Sequence, residues 1–148
     1  MAELLYEIPV SLDPGAHIPT YAHYGDAGMD LYSIERAVIP PLGSYTFDTG
    51  VHVAIPQGYC GLIVSKSGLN INQGLTSEGR LDSGYRGSIK IKLYNNDSSA
   101  TKIIESGEKI SQMVILPYSH VRLVLVDNFP SNSFDGRNSN GFGSTGRF

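Results

Sequence analysis

The sequence has no tryptophan, one cysteine and no long hydrophobic run. A single cysteine, Cys60, can form neither an intrachain disulfide nor a cysteine-based zinc site. The absence of disulfides fits a reducing compartment. No apolar segment approaches the roughly 20 residues of a membrane helix, and an acid, Glu3, stands where a signal peptide carries bases. We therefore expect a cytoplasmic protein without membrane contact.

Excess positive charge is also missing. The chain carries 11 basic and 14 acidic residues, a net charge of −3, and so has no diffuse attraction for nucleic acid or anionic lipid. Its 148 residues, of which 41% are hydrophobic, suffice for one domain with a true core. These values exclude global disorder and disfavour a nucleic-acid-binding protein.

Glycine and proline are abundant, with 17 and 8 residues, and they separate short runs that are rich in β-branched residues. This pattern predicts an all-β sandwich or barrel. In the clearest run, residues 88–94, Ile89, Ile91 and Leu93 share one face while Lys90 and Lys92 point the other way. Further strands are predicted at residues 4–10, 45–55, 60–64, 110–117 and 121–126, with turns at 40–43 and 56–58 and a turn or two of helix after Ser67.

The end of the chain differs from the rest. Of the 19 residues from 130 to 148, 13 are Gly, Ser, Asn, Thr or Pro, yet three of the five phenylalanines also lie here. We expect a β-domain over residues 1–129 and a flexible C-terminal arm over 130–148. The arginines of the arm could bind an anion, and its phenylalanines could stack on a flat ring. The arm is therefore predicted to close on a ligand.

Several catalytic signatures are absent from the sequence, among them the G-x-x-x-x-G-K-[ST] phosphate loop, H-E-x-x-H and G-x-S-x-G. The four histidines show no metal-ligand spacing and are interpreted as ordinary strand or loop residues. Five other segments place polar or charged residues among small ones: residues 27–31, 65–68, 79–87, 107–112 and 137–146. Together they hold carboxylates, cations, hydroxyls, glycine-rich amides and an aromatic ring, which suit a nucleoside polyphosphate with Mg²⁺.

In this order the segments resemble the five motifs of the trimeric dUTPase family. They read AGMDL (27–31), SKSGL (65–69), DSGYRG (82–87), GEKISQ (107–112) and GFGSTG (141–146). The resemblance implies a distorted jelly-roll β-barrel that forms a homotrimer, with active sites shared between subunits. It also implies hydrolysis of dUTP to dUMP and pyrophosphate, with Mg²⁺ on the triphosphate and water attacking the α-phosphorus. Such a reaction keeps uracil out of DNA and supplies dUMP for thymidylate synthesis.

The resemblance also implies roles for individual residues. Asp82 would be the catalytic base, and Asp30 would hold Mg²⁺ through water. Tyr85 would pack against the deoxyribose, and Phe142 would cover the uracil. The other substrate contacts would be Lys66, Ser67, Gly68 and Gln112 at the phosphates, the backbone around Gly79 and Leu81 at the uracil edge, and Arg137, Gly143, Ser144 and Thr145 in the arm, where Arg137, Ser144 and Thr145 grip the γ-phosphate.

The sequence departs from the family pattern at several positions. Lys66 and Lys109 stand where the family commonly has arginine, so their contacts are point charges rather than planar forks. Arg80 occupies a commonly aliphatic position, and Asn138 and Asn140 replace usual glycines. Asparagine tolerates the left-handed backbone that glycine would supply.

Two alternatives remain open at this point. One is a dCTP deaminase of the same fold, for which Glu78 is the local candidate to act on the base. The other is a phage or viral dUTPase relative that acts as a protein-binding regulator. Retention of Asp82, and the short span of 19 residues between Gly87 and Gly107, favour the hydrolase.

Overall fold

The computed structural model describes residues 7–148. Within this range the chain forms eleven strands and one short helix. Their bounds are β1 Val10–Leu12, β2 Met29–Tyr32, β3 Ala37–Ile39, β4 Ser44–Asp48, β5 Val51–Val53, β6 Tyr59–Val64, α1 Ser67–Gln73, β7 Leu75–Thr76, β8 Glu78–Leu81, β9 Lys90–Asn95, β10 Lys102–Ile104 and β11 Lys109–Pro117. The all-β prediction is confirmed.

The strands pair antiparallel in four small sheets. The largest has the order β2-β11-β6-β8, and the next has the order β4-β9-β7. Two-stranded sheets join β1 to β5 and β3 to β10. The largest sheet matters most for the site because its strands carry residues of three motif segments, and a fourth segment, 65–68, directly follows β6.

A core of aliphatic side chains and one phenylalanine lies between these sheets. Leu31, Phe47, Ile91 and Leu93 are fully buried, and Ile63 and Met113 are nearly so. Along β9 the exposed lysines alternate with the buried Ile91 and Leu93, as the sequence predicted. The strand ends on a buried polar residue, Asn95, whose amide donates hydrogen bonds to the carbonyls of Ile39, Pro40 and Ala100.

The predicted strand over residues 45–55 is two strands. They are separated at Gly50, whose φ of +66° lies in the left-handed region that interrupts a strand. The Gly50 N–H donates to the Asp48 carboxylate at 3.0 Å, which closes the turn. The turns at 40–43 and 56–58 and the helix after Ser67 are confirmed.

Two further strand predictions need correction. Of residues 4–10, positions 4–6 lie outside the described residues, and only Val10 belongs to a strand, which continues to Leu12. The strand predicted at 121–126 is wrong for this chain: the segment pairs with nothing in residues 7–148 and is exposed along its whole length. A strand requires a partner edge, and the single chain offers this segment none.

In the part of the chain that the structure describes, no helix has the length and apolar character needed to cross a bilayer. The only helix there, α1, has seven residues.

Candidate active site

The four-stranded sheet places three motif segments side by side. Asp30 of β2 is opposite Gln112 of β11, and Gln112 is opposite Val64 of β6. Directly paired residues of antiparallel strands project to the same face, so this row faces away from the core. The neighbouring row, with Met29, Met113 and Ile63, projects into the core. The segments that resemble motifs one, two and four therefore meet in one cleft of about 530 Å³.

Asp30 lies at the floor of this cleft between two lysines. Its side chain is only 5% exposed. Lys66 Nζ donates a hydrogen bond to Oδ1, and Lys109 Nζ lies 2.9 Å from Oδ2. Burial raises the pKa of Asp30, but the two ammonium groups outweigh burial and hold that pKa below its ordinary value. The same contact raises the pKa of Lys109. One carboxylate and two ammonium groups leave one net positive charge, which suits an anionic ligand.

Lys66 and Ser67 are held in the cleft by the loop that follows β6. Ser65 in this loop exchanges two hydrogen bonds with Ser77, at 2.9 and 3.0 Å. Ser77 in turn contacts Ser111 of β11 through its hydroxyl at 2.7 Å. This buried network fixes the start of α1, where Ser67 and Gly68 form the first helical residues.

Gln112 is packed against Gly28, which leads into β2. A Cβ atom at Gly28 would overlap the Gln112 amide. The Gln112 amide also donates to the Ser65 carbonyl at 3.0 Å. Gly28 therefore leaves the space that allows Gln112 to line the cleft beside Asp30.

The residues predicted to contact the uracil, and the predicted catalytic base, belong to a different region. Gly79 and Leu81 lie on β8, at the other edge of the sheet, and Asp82 opens the turn that follows. The Asp82 side chain is 75% exposed, and its Oδ1 lies 3.3 Å from Nε of Arg80. Asp82 and Arg80 line a second cleft of about 510 Å³ with Cys60 and residues 118–121.

Tyr85 is fixed within the same turn region. Its hydroxyl donates to the Ser88 carbonyl at 2.9 Å, and its N–H donates to the Asp82 carbonyl at 3.0 Å. The ring lies over Gly87, where a Cβ would overlap it. Tyr85 therefore presents one half-exposed ring face to solvent.

Within one chain these two regions are far apart. The row that contains Asp30 ends on β8 at Glu78, three strand spacings away, which is roughly 14 Å. Asp82 lies four residues beyond Glu78, roughly another 13 Å along the strand direction. The backbone positions of Asp30 and Asp82 are thus roughly 20 Å apart along the sheet, and the two residues line separate clefts of one chain.

The arm residues form a third group. All residues from 118 to 148 are exposed, and this segment contains no helix or strand. Arg137 Nε lies 3.5 Å from the Asp135 carboxylate, while Phe142 extends into solvent. Asn138 adopts a φ of +50°, as expected from its tolerance of left-handed backbone. Gly143, Ser144 and Thr145 form turns of their own, and the structure does not bring the arm to either cleft.

The donor set bears on the predicted magnesium ion. Among residues 7–148, no three His, Cys, Asp or Glu side chains converge as a metal site. Asp30 is already paired with two ammonium groups. These residues fit Mg²⁺ only when a polyphosphate supplies most of its ligands and Asp30 contacts its water shell.

Two functional positions were missed in the sequence. The sequence marks Lys109 only as a departure from the family pattern, yet it provides one of the two ammonium groups that pair with Asp30. Gly28 was quoted in its motif without a role, although it makes room for Gln112. The sequence did contain a clue for Gly28, since an isolated glycine between Ala27 and Met29, at the start of a strand pattern, is typical of a close backbone approach.

Comparison with known proteins identifies the family to which this chain belongs. The dUTPase family model matches residues 15–146. A deoxyuridine 5'-triphosphate nucleotidohydrolase of Leifsonia xyli is 39% identical over 132 residues, covering 87% of this chain and 85% of that protein. A solved dUTPase of Staphylococcus bacteriophage 80alpha with dUpNHpp is similar at a TM-score of 0.88 and 31% identity, covering 95% of this chain and 99% of that one.

A dUTPase of the Staphylococcus aureus phage phi11, in which a structural Mg(II) ion is coordinated, is similar at a TM-score of 0.79 and 30% identity over 84% of this chain and 99% of that one. The family model spans most of the sequence, and the all-β architecture agrees with the solved dUTPases. The chain therefore belongs to the dUTPase family.

Proposed function

We propose that three copies of this chain assemble into a dUTP diphosphatase whose active sites each draw residues from more than one copy. The reaction follows from membership of the dUTPase family: the protein hydrolyses dUTP to dUMP and pyrophosphate. This reaction keeps uracil out of DNA and supplies dUMP for thymidylate synthesis. The observation that carries the site assignment is the pair of ammonium groups held on buried Asp30 beside Ser67 and Gln112.

The cleft around Asp30 is the phosphate end of the site. Lys66, Ser67, the Gly68 amide and Gln112 bind phosphate oxygens there. Asp30 already orients Lys66 and Lys109. The two side chains therefore need little rearrangement when a polyphosphate enters the cleft. Single ammonium groups give directionless attraction, and the hydroxyl and amide donors supply the geometry.

The base and sugar end comes from a second copy. The backbone of Gly79 and Leu81, at the edge of the sheet, reads the uracil by hydrogen bonds. The exposed face of Tyr85 packs against the deoxyribose and leaves no room for a 2′-hydroxyl. The fixed position of Tyr85, bonded at both its hydroxyl and its N–H, supports this selective contact.

Asp82 from that second copy is the general base. Its carboxylate accepts a proton from the attacking water as the oxygen bonds to the α-phosphorus. The bond between the α-phosphorus and the bridging oxygen breaks, and the electron pair leaves with pyrophosphate. Exposure of Asp82 in the single chain leaves it accessible to a phosphate cleft on a neighbouring copy.

The arm of another copy closes the site. Phe142 covers the uracil, while Arg137, Gly143, Ser144 and Thr145 hold the γ-phosphate end. Arg137 must exchange its contact with Asp135 for the phosphate, so closure depends on a complete triphosphate. The arm therefore favours dUTP over dUDP. We assign residues 130–148 to this arm and residues 1–129 to the β-domain.

Magnesium accompanies the substrate. When bound to the triphosphate, Mg²⁺ would supply neutralisation of the phosphate charge. Asp30 would hold the ion through its water shell, and Lys66 and Lys109 keep the Asp30 carboxylate ionised. With dUTP as substrate and no feature that favours nucleic acid, we also propose a cytoplasmic location, or the host interior for a phage protein.

The shared site is tested by mixing two inactive variants. We expect Asp82→Asn to lack turnover, and Lys66→Ala to lack it at a dUTP concentration far below its raised KM. When the two are unfolded together and refolded in equal amounts, about one quarter of the sites should receive an intact cleft and an intact Asp82 from different copies. Pyrophosphate release from dUTP should then recover to about a quarter of the wild-type rate. Mixing already folded variants without unfolding is the control.

Two outcomes would contradict the proposal in different ways. No recovery, with both variants folded and co-assembled, would mean that each chain supplies its own complete site. Wild-type protein that releases no pyrophosphate from dUTP but deaminates dCTP would replace the hydrolase by the deaminase alternative and direct attention to Glu78.

A further inference from the structure

His52 bridges two parts of the chain that are distant in sequence. It lies on β5, and its side chain is 27% exposed. Its Nδ1 lies 2.8 Å from the main-chain carbonyl oxygen of Arg86. Its Nε2 lies 3.1 Å from each carboxylate oxygen of Asp13, in the loop after β1. The imidazole therefore connects the β1–β5 sheet to the segment between β8 and β9.

Both partners of this imidazole accept hydrogen bonds and neither can donate one. A carbonyl oxygen has no proton, and an ionised carboxylate has none either. A neutral histidine has a single N–H. Its other ring nitrogen would then place a lone pair against the lone pair of an acceptor oxygen. Only the imidazolium, with a proton on each nitrogen, satisfies both contacts.

The surrounding charges favour this form. Asp13 faces His52 from the loop after β1, and Asp48 faces it from β4. The nearby cations are directed elsewhere: Lys90 of β9 lies 4.0 Å from the Asp48 carboxylate, and the Arg86 guanidinium bonds its own loop. The hydrogen bond to the Arg86 carbonyl, followed by the contact with Asp13, raises the pKa of His52 above its ordinary 6.5.

The Arg86 carbonyl belongs to the loop that begins with Asp82. The Arg86 guanidinium donates to the carbonyls of Ser83, at 2.6 Å, and Tyr85, at 3.0 Å. The Tyr85 N–H donates to the Asp82 carbonyl. At the other end of the loop, the Ser88 hydroxyl donates to Asp48. Asp82 thus sits on a segment whose position depends on where Arg86 is held.

We propose that His52 is a positioning residue for the reaction, holding the loop that carries Asp82 and Tyr85 as an imidazolium that donates one N–H to Arg86 and the other to Asp13. The proposal rests on the proposed role of Asp82, which His52 does not touch. It acts through the loop backbone, so its loss changes how often Asp82 and Tyr85 occupy their working positions. A displacement of about 1 Å at a reacting group can cost as much as 100-fold in rate.

This assignment gives the enzyme a pH dependence with a defined sign. Because the pKa of His52 is raised on folding, its contribution is complete below about pH 6.5 and is lost as pH rises through the raised value. We expect kcat to fall by about three- to tenfold on this alkaline side, with a smaller change in KM for dUTP, since the phosphate cleft lies elsewhere.

The first test measures the protonation of His52 without any reaction. The imidazole C–H resonances of the four histidines are followed by NMR titration, and His52→Gln identifies the one that disappears. We expect His52 to titrate above 6.5 in the wild type and to move down toward that value in Asp13→Asn. Titration of His52 at or below 6.5 in the wild type would overturn the proposal.

The second test links this protonation to turnover. His52→Gln should lower kcat about tenfold below pH 6.5 and remove the alkaline decline, whereas Asp13→Asn should keep the decline but move it to lower pH. His17→Gln removes another histidine, one that contacts Tyr32 at a ring distance of 5.4 Å, and is the matched control. Thermal unfolding of each variant separates a loss of folding from a loss of turnover.

The results separate failure of this inference from failure of the proposed function. A uniform, pH-independent loss in both His52→Gln and Asp13→Asn would reduce His52 to a structural residue. If Asp82→Asn stays active, the assignment of the base fails, while the titration of His52 in that variant still reports whether the bridge exists.

Discussion

The two halves of the proposed site differ in how they are built. The Asp30 cleft is made from three neighbouring strands, and its central carboxylate is 5% exposed and already paired with two cations. The Asp82 loop and the C-terminal arm are irregular, and the Asp82 carboxylate is 75% exposed. The phosphate cleft is therefore formed within a single chain, whereas in the proposed assembly Asp82 and the arm become part of a site only when they meet the cleft of another chain.

This difference follows from the chemistry of each half. A highly charged phosphate chain is best met by cations and donors fixed in advance, because their reorganisation would oppose binding. A general base and a covering aromatic ring must admit water and substrate before they act, so they belong on exposed segments. Substitutions in the two halves should therefore affect binding and turnover in different proportions.

The largest effect is expected for Asp82→Asn, which keeps the shape of the side chain but removes the base. We expect kcat to fall by roughly 10²–10⁴ while the nucleotide still binds, since the phosphate cleft is untouched. Pyrophosphate release gives kcat, and calorimetric titration with a non-hydrolysable dUTP analogue gives affinity. A loss of affinity as large as the loss of turnover would erase the distinction between the two halves.

A smaller effect is expected when most of the arm, residues 134–148, is removed by ending the chain at Ser133. All arm residues are exposed, so the melting temperature should remain close to that of the full chain. Turnover of dUTP should fall by about 10- to 100-fold because water is no longer excluded. Phe148→Ala, which alters an arm phenylalanine without a proposed contact, is the control. An unfolded truncated protein would instead make the arm part of the β-domain.

The smallest effect is expected for Gly28→Ala, in the binding half. The new Cβ displaces the end of the flexible Gln112 side chain, so the fold should persist. We expect KM for dUTP to rise by about tenfold with kcat largely unchanged, because one uniform phosphate contact is lost. Gly25→Ala is the matched control, since its Cβ would meet open space. Equal behaviour of the two variants would remove Gln112 from the phosphate contacts.

The fold was predictable where the sequence carries local periodicity. Residues 88–94 alternate apolar and charged side chains, and β9 has that alternation in its burial. The strand predicted at 60–64 corresponds to β6, Tyr59–Val64, and that at 110–117 to β11, Lys109–Pro117. The break at Gly50 was harder to foresee, because the alternation of side chains over residues 45–55 continues across it and only the backbone conformation separates the two strands.

The site was less predictable because its contacts join segments that are distant in sequence. The pairing of Lys109 with Asp30 arises from strand register, and the bridge from His52 to Arg86 arises from packing of a loop on a sheet. No local pattern encodes either one. The apolar segment 121–126 reads as a strand, but whether it pairs depends on an edge that its own chain does not provide.

The separation of roughly 20 Å between Asp30 and Asp82 has a consequence for the life of the protein. In the proposed assembly, a newly synthesised chain would have a phosphate cleft but no complete active site until it meets its partners. We therefore expect the specific activity to fall on dilution once subunits separate.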